Sequence, residues 1–320
     1  MILKDDVRNL QYMFYQCYSL NNIDNLKKFN TKYIYDFSYM FYNCSKWLSL
    51  YYLKDWDVSR GIDFSGMFGN CCWFFNLDAL KNWNVSNGDN FYRMFWRCRK
   101  LSNLNGLERW DITNGVNFQG MFTDCESLDS LCALINWNVS KGSNFSYMFF
   151  NCRSLSYLYS LKKWNVSHGD CFEEMFWGCT SLVNLDGLEN WDVSKATCFK
   201  SMFGFCSSLS GISALKNWNV SNVNYFQGMF NSCSKLGNLY ALKNWNVSNG
   251  WDFSYMFYGM KNLCDFNFLI GWKISKGSNV TDMLSDCGST RLYFNYEDKW
   301  ELSEEQKQSI IKKNSKDNNY

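Results

Sequence analysis

Apolar side chains return along this chain with a period of 27 residues. From Asn90 to Val116 they fall at Phe91, Met94, Phe95, Cys98, Leu101, Leu104, Leu107, Trp110 and Ile112, and the series restarts at Phe118, Met121, Phe122 and Cys125. Met-Phe pairs begin at Met13, Met40, Met67, Met94, Met121, Met148, Met175, Met202, Met229 and Met256, with Met283-Leu284 as a degraded copy, and no insertion or deletion interrupts them. No segment within one copy can bury an apolar face alone, so the copies must stack and share a core. Steps of three and four suit a short helical turn, and a step of two suits a strand. The pattern predicts a short helix over Met-Phe-x-x-Cys, an arc over Leu-x-x-Leu-x-x-Leu and a short strand over Trp-x-Val-Ser. The expected fold is an α/β repeat solenoid, right-handed, with about ten 27-residue turns. A parallel sheet of short strands would form one face, and short helices or 3₁₀ turns the other.

The polar positions mark the connections. Glycine follows the expected strand at Gly61, Gly88, Gly115, Gly142, Gly169, Gly250 and Gly277, while Ala196 and Val223 hold the same place. A positive φ accounts for the glycines. Ala196 and Val223 then require that their turns differ, or that glycine serves a close backbone approach. Asn82, Asn136, Asn190, Asn217 and Asn244, just before Trp, are expected to stack as an amide ladder. Asp57, Asp111 and Asp192 share a slot with Asn84, Asn138, Asn165, Asn219 and Asn246. That exchange points to a side-chain oxygen accepting a backbone hydrogen bond, rather than to Asn-x-Ser as glycan acceptors. Proline is absent, as suits a stack that needs backbone donors on successive copies. Toward the end the pattern decays through Thr290, Tyr293 and Tyr296. Ser303, with Gln306 three residues on and Ile310-Ile311 as an apolar contact, then reads as a helix start. Residues 1–296 are expected to form the solenoid, with degraded first and last turns, and 297–320 a helical cap with a frayed tail from Asn314.

Composition narrows the function classes. Hydrophobic residues make up 47% and aromatics 19%, so the core is aromatic-rich. A net charge of +2 gives no footprint for nucleic acid. No window approaches the roughly 18 apolar residues of a membrane span, and Lys4, Asp5, Asp6 and Arg8 interrupt any secretory apolar run in the first residues. Of 15 cysteines, those at Cys17, Cys44, Cys71, Cys98, Cys125, Cys152, Cys179, Cys206, Cys233 and Cys287 share one repeat position. Used once per copy, cysteine reads as a small hydrophobe in a tight place. Disulfides between neighbouring copies need Cα atoms within roughly 7 Å and fit less well. A zinc site fits least, with Cys71-Cys72 as the one close pair and a single histidine. That histidine, His168, sits in a polar slot shared with Arg60, Asn87, Asn114, Lys141, Lys195, Asn222, Asn249 and Lys276. Glu173-Glu174 has no second acidic cluster to work with, and there is no glycine-rich phosphate loop. The chain is therefore expected to be no enzyme and to hold no cofactor or metal.

The run Leu188-Glu189-Asn190-Trp191-Asp192-Val193-Ser194, followed by Met202-Phe203 and Cys206-Ser207-Ser208-Leu209, resembles the BspA-like leucine-rich repeat family of surface proteins. The resemblance runs from residue 10 to about 290. It implies a leucine-rich-repeat solenoid whose relatives are exported surface proteins used in adhesion or in host and matrix contact. Where the family tends to continue Asn-Val-Thr-x-Met after the serine, this chain usually has glycine and then phenylalanine, as in Asn87-Gly88-Asp89-Asn90-Phe91. A cell-surface or extracellular location follows from the resemblance, while no signal peptide or anchor appears in this chain. The alternative is an intracellular scaffold that assembles with itself or with a partner.

On this reading the chain is a non-catalytic, adhesin-like repeat protein that binds an unidentified protein or glycan. The binding face would be the polar Asn/Asp/Lys column beside the expected strand, or a row of aromatics that the core columns do not require. That row comprises Tyr39, Tyr42, Tyr92, Trp96, Tyr147, Phe150, Trp177, Tyr255 and Tyr258, with Tyr12 and Tyr15 in the first copy. Other copies place Gly, Ser, Thr, Asn or Glu there, as solvent-facing positions allow. Exposed rings in a row could stack on sugars or anchor a protein. Alternatively they fill gaps between neighbouring short helices.

Overall fold

The computed structural model describes residues 7–20, 23–46, 49–288 and 300–310. Its organising contact is a column of parallel bridges that joins the residue before each first phenylalanine to its counterpart in the next copy. The column runs Asn9, Asp36, Asp63, Asn90, Asn117, Asn144, Cys171, Cys198, Tyr225, Asp252 and Asn279. Among the described residues the pairing consists of isolated bridges rather than extended strands. The bridges also lie away from Trp-x-Val, where the step of two predicted them. There the chain is unpaired: Trp110 and Ile112 face the core, while Asp111 between them points outward and accepts the Thr113 N–H at 3.1 Å. The step of two thus reports burial on one side and does not require pairing.

The segment over Met-Phe-x-x-Cys is not helical either. The residue before Met and the residue before Cys are both left-handed in every copy, for example Arg93 at φ 51 and Arg97 at φ 58. Three overlapping turns result: the Met94 N–H donates to Phe91 O at 3.2 Å, Trp96 N–H to Arg93 O at 3.0 Å, and Cys98 N–H to Phe95 O at 3.2 Å. The alternate donors point to the next copy. Phe91, Arg93, Phe95 and Arg97 donate to Asn117, Gln119, Met121 and Thr123 carbonyls at 2.8 to 3.0 Å. A helix would close these bonds inside one copy, whereas alternating turns leave half the donors free to tie copies together. Short 3₁₀ turns occur instead on the leucine arc, as at Asp78–Leu80, Tyr159–Leu161 and Ser213–Asn217.

The buried columns stack in register. Phe91 lies 5.7 Å from Phe118 at an interplanar angle of 1°, Phe95 5.7 Å from Phe122 at 2°, and Trp83 6.4 Å from Trp110 at 3°. Each indole N–H reaches the leucine carbonyl thirty residues earlier, as from Trp110 to Leu80 O at 3.0 Å. The cysteine column does the same with its thiols: Cys98 Sγ lies 3.3 Å from Phe68 O and Cys152 Sγ 3.3 Å from Phe122 O. These sulfurs are small buried donors, and burial pushes Cys179 and Cys233 up to about 12.

The glycine column corrects one expectation. Gly61, Gly88, Gly115, Gly142, Gly169, Gly250 and Gly277 are absent from the positive-φ positions. Close packing is the cause for most of them: a Cβ on Gly142 would stand 2.4 Å from Phe145 Cζ and 3.0 Å from Val139 O. Where Ala196 takes the slot, Phe199 is turned out of the stack, 57° from Phe172 and 67° from Phe226. The amide ladder also moves. It forms on the bridge column, where Asn117 Nδ2 donates to Asn90 Oδ1 at 3.2 Å, and before the cysteines, where Asn70 Nδ2 donates to Asn43 Oδ1 at 2.6 Å. The residues expected to carry it, Asn82, Asn136, Asn190, Asn217 and Asn244, are exposed.

Helix α1, Glu304–Ser309, closes the far end. Its N-cap Ser303 forms a reciprocal capping box with Gln306. Asp282 and Leu284 N–H groups donate to Ser309 and Ile310 carbonyls at 2.7 and 3.1 Å, and Gln306 Nε2 reaches Ser278 O at 2.7 Å. The decaying pattern at Thr290, Tyr293 and Tyr296, and the tail from Asn314, lie outside the described residues.

Candidate functional site

Because the turns repeat in register, every side chain of one repeat position shares a surface row. Three positions carry the aromatics singled out above. Tyr39, Tyr147 and Tyr255 occupy the left-handed slot before Met, as does Tyr12. Tyr42, Trp96, Phe150, Trp177 and Tyr258 follow the Met-Phe pair, as does Tyr15, and Tyr92 follows the first phenylalanine.

The structure brings several of these rings together. Tyr12 stacks on Tyr39 at 5.3 Å and Tyr15 on Tyr42 at 5.3 Å. Tyr42 in turn meets Trp96, two copies away, at 5.7 Å and 3°. That reach depends on the copy between them, where Gly66 and Gly69 present no side chains. A Cβ on Gly66 would fall 2.5 Å from Tyr39, and one on Gly69 2.6 Å from Tyr42. Arg97 lies over Trp96 at 4.4 Å, and Arg93 lies over Tyr92 at 5.1 Å and Trp96 at 5.7 Å. Burial, then the neighbouring Tyr92 and Tyr12 hydroxyls, pushes Tyr39 up to about 12. A second group sits further along, where Phe150 stacks on Trp177 at 4.6 Å and Trp177 leans on Phe205 at 5.0 Å over the gap left by Gly204. Tyr147 packs against Phe150 at 6.1 Å. Tyr255 and Tyr258 form a separate edge-to-face pair at 5.8 Å. Between the groups the row carries Gly120 and Thr123, so the rings form clusters rather than one continuous strip.

The polar column is largely committed to the fold. Asn87, Asn114, Asn222 and Asn249 donate their amides to Ser59, Ser86, Ser194 and Ser221 carbonyls at 2.7 to 2.8 Å. Arg60, Asn87, Asn114 and Lys141 line an open groove of about 540 Å³ with Ile62 and Val116. His168 is exposed in this row. The Asp/Asn slot after Trp accepts the N–H two residues on, as from Ser86 to Asn84 at 3.1 Å and from Ser59 to Asp57 at 3.0 Å.

Other rings are more exposed than the row and were not expected to be. Trp251 is 67% exposed and Tyr240 64%. Tyr240, Tyr159 and Tyr51 open the 3₁₀ turns, at a place where other copies have Asp78 and Ser213. The same variation between copies that marks the aromatic row marks this one. Tyr51 also lines an open cleft of about 590 Å³ with Lys54, Phe74 and Phe75 on the arc side. Among the described residues no helix is long and apolar enough to cross a membrane.

Two solved structures are similar: a leucine rich cell surface protein from Faecalibacterium prausnitzii, at 16% identity over 87% of this chain and 79% of the other, with a TM-score of 0.37, and a leucine-rich repeat protein from Bacteroides ovatus, at 14% identity over 93% and 87%, with a TM-score of 0.28. No curated protein matches the chain. The family described as "Mycoplasma protein of unknown function, DUF285" matches in overlapping tandem copies over residues 8–130, 71–187, 102–213 and 172–300. With its period unbroken across those spans, the chain belongs to the DUF285 family of tandem-repeat proteins, related to the BspA-like leucine-rich repeats.

Proposed function

We propose that the chain is a non-catalytic repeat scaffold, set at a cell surface, that holds a protein partner on the face carrying the aromatic clusters. We read residues 1–296 as one right-handed coil of about ten turns with a cap in 297–320, so that the clusters share one side. The observation that carries the proposal is a set of part-exposed, clustered rings held on a left-handed backbone. Tyr12, Tyr39, Tyr147 and Tyr255 hold φ between 53° and 60°, in the slot where Gly66, Gly120 and Gly228 hold the same conformation without a side chain. A non-glycine residue there costs about 1–2 kcal/mol. Tyr12 stays 50% and Tyr255 37% exposed, while Tyr39 and Tyr147 are half-buried. Arg93, Glu174, Ser201 and Asp282 hold the same conformation in other copies, so the slot tolerates side chains, and what sets the tyrosine copies apart is the part-exposed ring that each presents.

Ring geometry favours protein over glycan. Sugars stack on aromatic faces, but the faces of Tyr39, Tyr42 and Trp96 are occupied by neighbouring rings and by Arg97. Aromatic edges beside arginine are typical protein anchors. The test uses the chain itself, with Tyr12, Tyr39, Tyr147 and Tyr255 all changed to glycine. This returns the slot to a residue that it already accommodates. Binding of both forms is read on arrays of purified cell-surface and matrix proteins and of glycans. The expected result is a protein ligand whose binding weakens at least about tenfold in the variant while the unfolding midpoint holds or rises. Equal binding by the two forms, or a glycan ligand alone, refutes the assignment.

A further inference from the structure

The cysteines outside the core column include a pair with different surroundings. Cys171 and Cys198 are bridge-column residues, paired directly across a parallel bridge and half-buried. Elsewhere this position is mostly Asn or Asp, whose side-chain oxygen accepts the N–H two residues on, as Asn90 does from Tyr92 at 3.2 Å and Asp252 from Ser254 at 2.8 Å. The slot is therefore built to receive an anionic or electron-rich atom. With cysteine in it, a sulfur stands in that place. Cys171 Sγ receives the Ser146 hydroxyl at 3.1 Å, with Cys198 beside it across the bridge.

We infer that Cys171 and Cys198 form a reactive dithiol, with Cys171 the attacking sulfur and Cys198 the resolving one, that takes a low-molecular-weight disulfide as its substrate. The product is a disulfide clamping two neighbouring repeats. Parallel neighbours lie about 4.8 Å apart, within the roughly 4.4–6.8 Å between Cα atoms that a disulfide spans. Bridge-paired side chains project to the same side, so closure needs little backbone movement. The Cys198 thiol donating to Cys171 lowers the Cys171 pKa, and the same contact, together with burial, raises that of Cys198. The other titratable groups facing the pair are Glu173, held by Lys200 at 2.8 Å, and Tyr147, whose hydroxyl donates to Glu173. The core-column thiols are the opposite case: they give their proton to a carbonyl and are inert.

In the first step the Cys171 thiolate, its proton lost to solvent, attacks one sulfur of R–S–S–R. The Cys171–SR bond forms, the S–S bond of the reagent breaks, and R–S⁻ leaves. In the second, the Cys198 proton passes to that thiolate and the Cys198 sulfur attacks Cys171, breaking the mixed disulfide and releasing the second R–S⁻, which solvent protonates. Two cysteine thiols are oxidised to one cystine, and the reagent is reduced to two thiols.

The pair lies beside Tyr147 of the aromatic row, but its chemistry needs no bound partner and can be tested alone. The full chain is incubated with bis(2-hydroxyethyl) disulfide near pH 6.5, quenched with maleimide and mapped by mass spectrometry without reduction. A Cys171–Cys198 cross-linked peptide should appear roughly tenfold faster than adducts at the exposed Cys132 and Cys264, greater thiolate content being partly offset by lower nucleophilicity. Cys198→Ser should stop the reaction at a hydroxyethyl adduct on Cys171. Modification of Cys132 and Cys264 in wild-type protein while Cys171 stays a free thiol, or a stable adduct on Cys171 that Cys198 never displaces, overturns the inference.

Discussion

Adding a methyl group to Gly142 drives it into Phe145. The new Cβ would lie 2.4 Å from Phe145 Cζ, and that ring is fully buried between Phe118 at 5.7 Å and Phe172 at 5.5 Å, with Trp164 tilted across it at 6.3 Å. The turn that Phe199 makes beside Ala196, out of both stacks, is the response the structure shows to a methyl group in this slot, while Phe226 beside Val223 leaves one stack and keeps the other. Turning Phe145 gives up its face contacts with both neighbours, worth about 0.5–1.5 kcal/mol each, or about 1–3 kcal/mol in all, the range expected for an overpacked core. Stiffening of the unfolded chain returns about 0.4–1 kcal/mol. Gly142→Ala should thus destabilise the protein by about 1–2 kcal/mol. Gly277 is the control, from the same column but exposed and with nothing within 4 Å of its notional Cβ. There the entropic term acts alone, and Gly277→Ala should leave stability unchanged or raise it by up to about 1 kcal/mol. Urea unfolding followed by tryptophan fluorescence and by circular dichroism compares the two, coincidence of the probes licensing a two-state treatment of a repeat array. If Gly142→Ala matches or exceeds wild-type stability, the glycine column does not exist to admit the phenylalanine ring.

Trp164→Phe removes the indole donor to Leu134 O and trims the stack on Trp137 and Trp191. A loss of about 2–3 kcal/mol in urea unfolding is expected, and an unchanged midpoint would show that the indole ladder contributes nothing. Alkaline pH should weaken the array through the buried thiols. Burial raises Cys179 and Cys233 to about 12, above an unfolded value of about 8.5. Their contribution is complete below that unfolded value and is lost as pH rises toward the folded one, by about 1.4 kcal/mol per thiol per pH unit. A Cys179→Ala/Cys233→Ala variant should show a flatter decline of unfolding free energy between pH 9 and 10.5, and a profile parallel to wild type would contradict this.

The columns of the core were legible in the sequence because burial leaves a chemical mark at every copy. Phe91 and Phe95 recur because each stacks on its own counterpart above and below, and Cys98 and Trp110 because each bonds a carbonyl of an earlier copy, so a substitution in one copy disturbs its neighbours. Backbone conformation left a weaker mark, and the two misplaced elements follow from that. Steps of three and four over Met-Phe-x-x-Cys fit a helix as well as alternating turns. What separates them is the pair of left-handed slots, visible as Gly66, Gly120 and Gly228 in one and as Asn43, Asn70, Asp124, Asn151 and Gly178 in the other. Such residues tolerate a positive φ, and four-residue spacing of two such slots excludes a helix. The tyrosines obscured that signal by standing in the first slot at Tyr12, Tyr39, Tyr147 and Tyr255. Local preference is overridden at Arg93, Glu174 and Ser201 as well as at the tyrosines, so the left-handed slot is imposed by the bonds between copies rather than by the residue in it, and the sequence shows it only where glycine or asparagine happens to stand there.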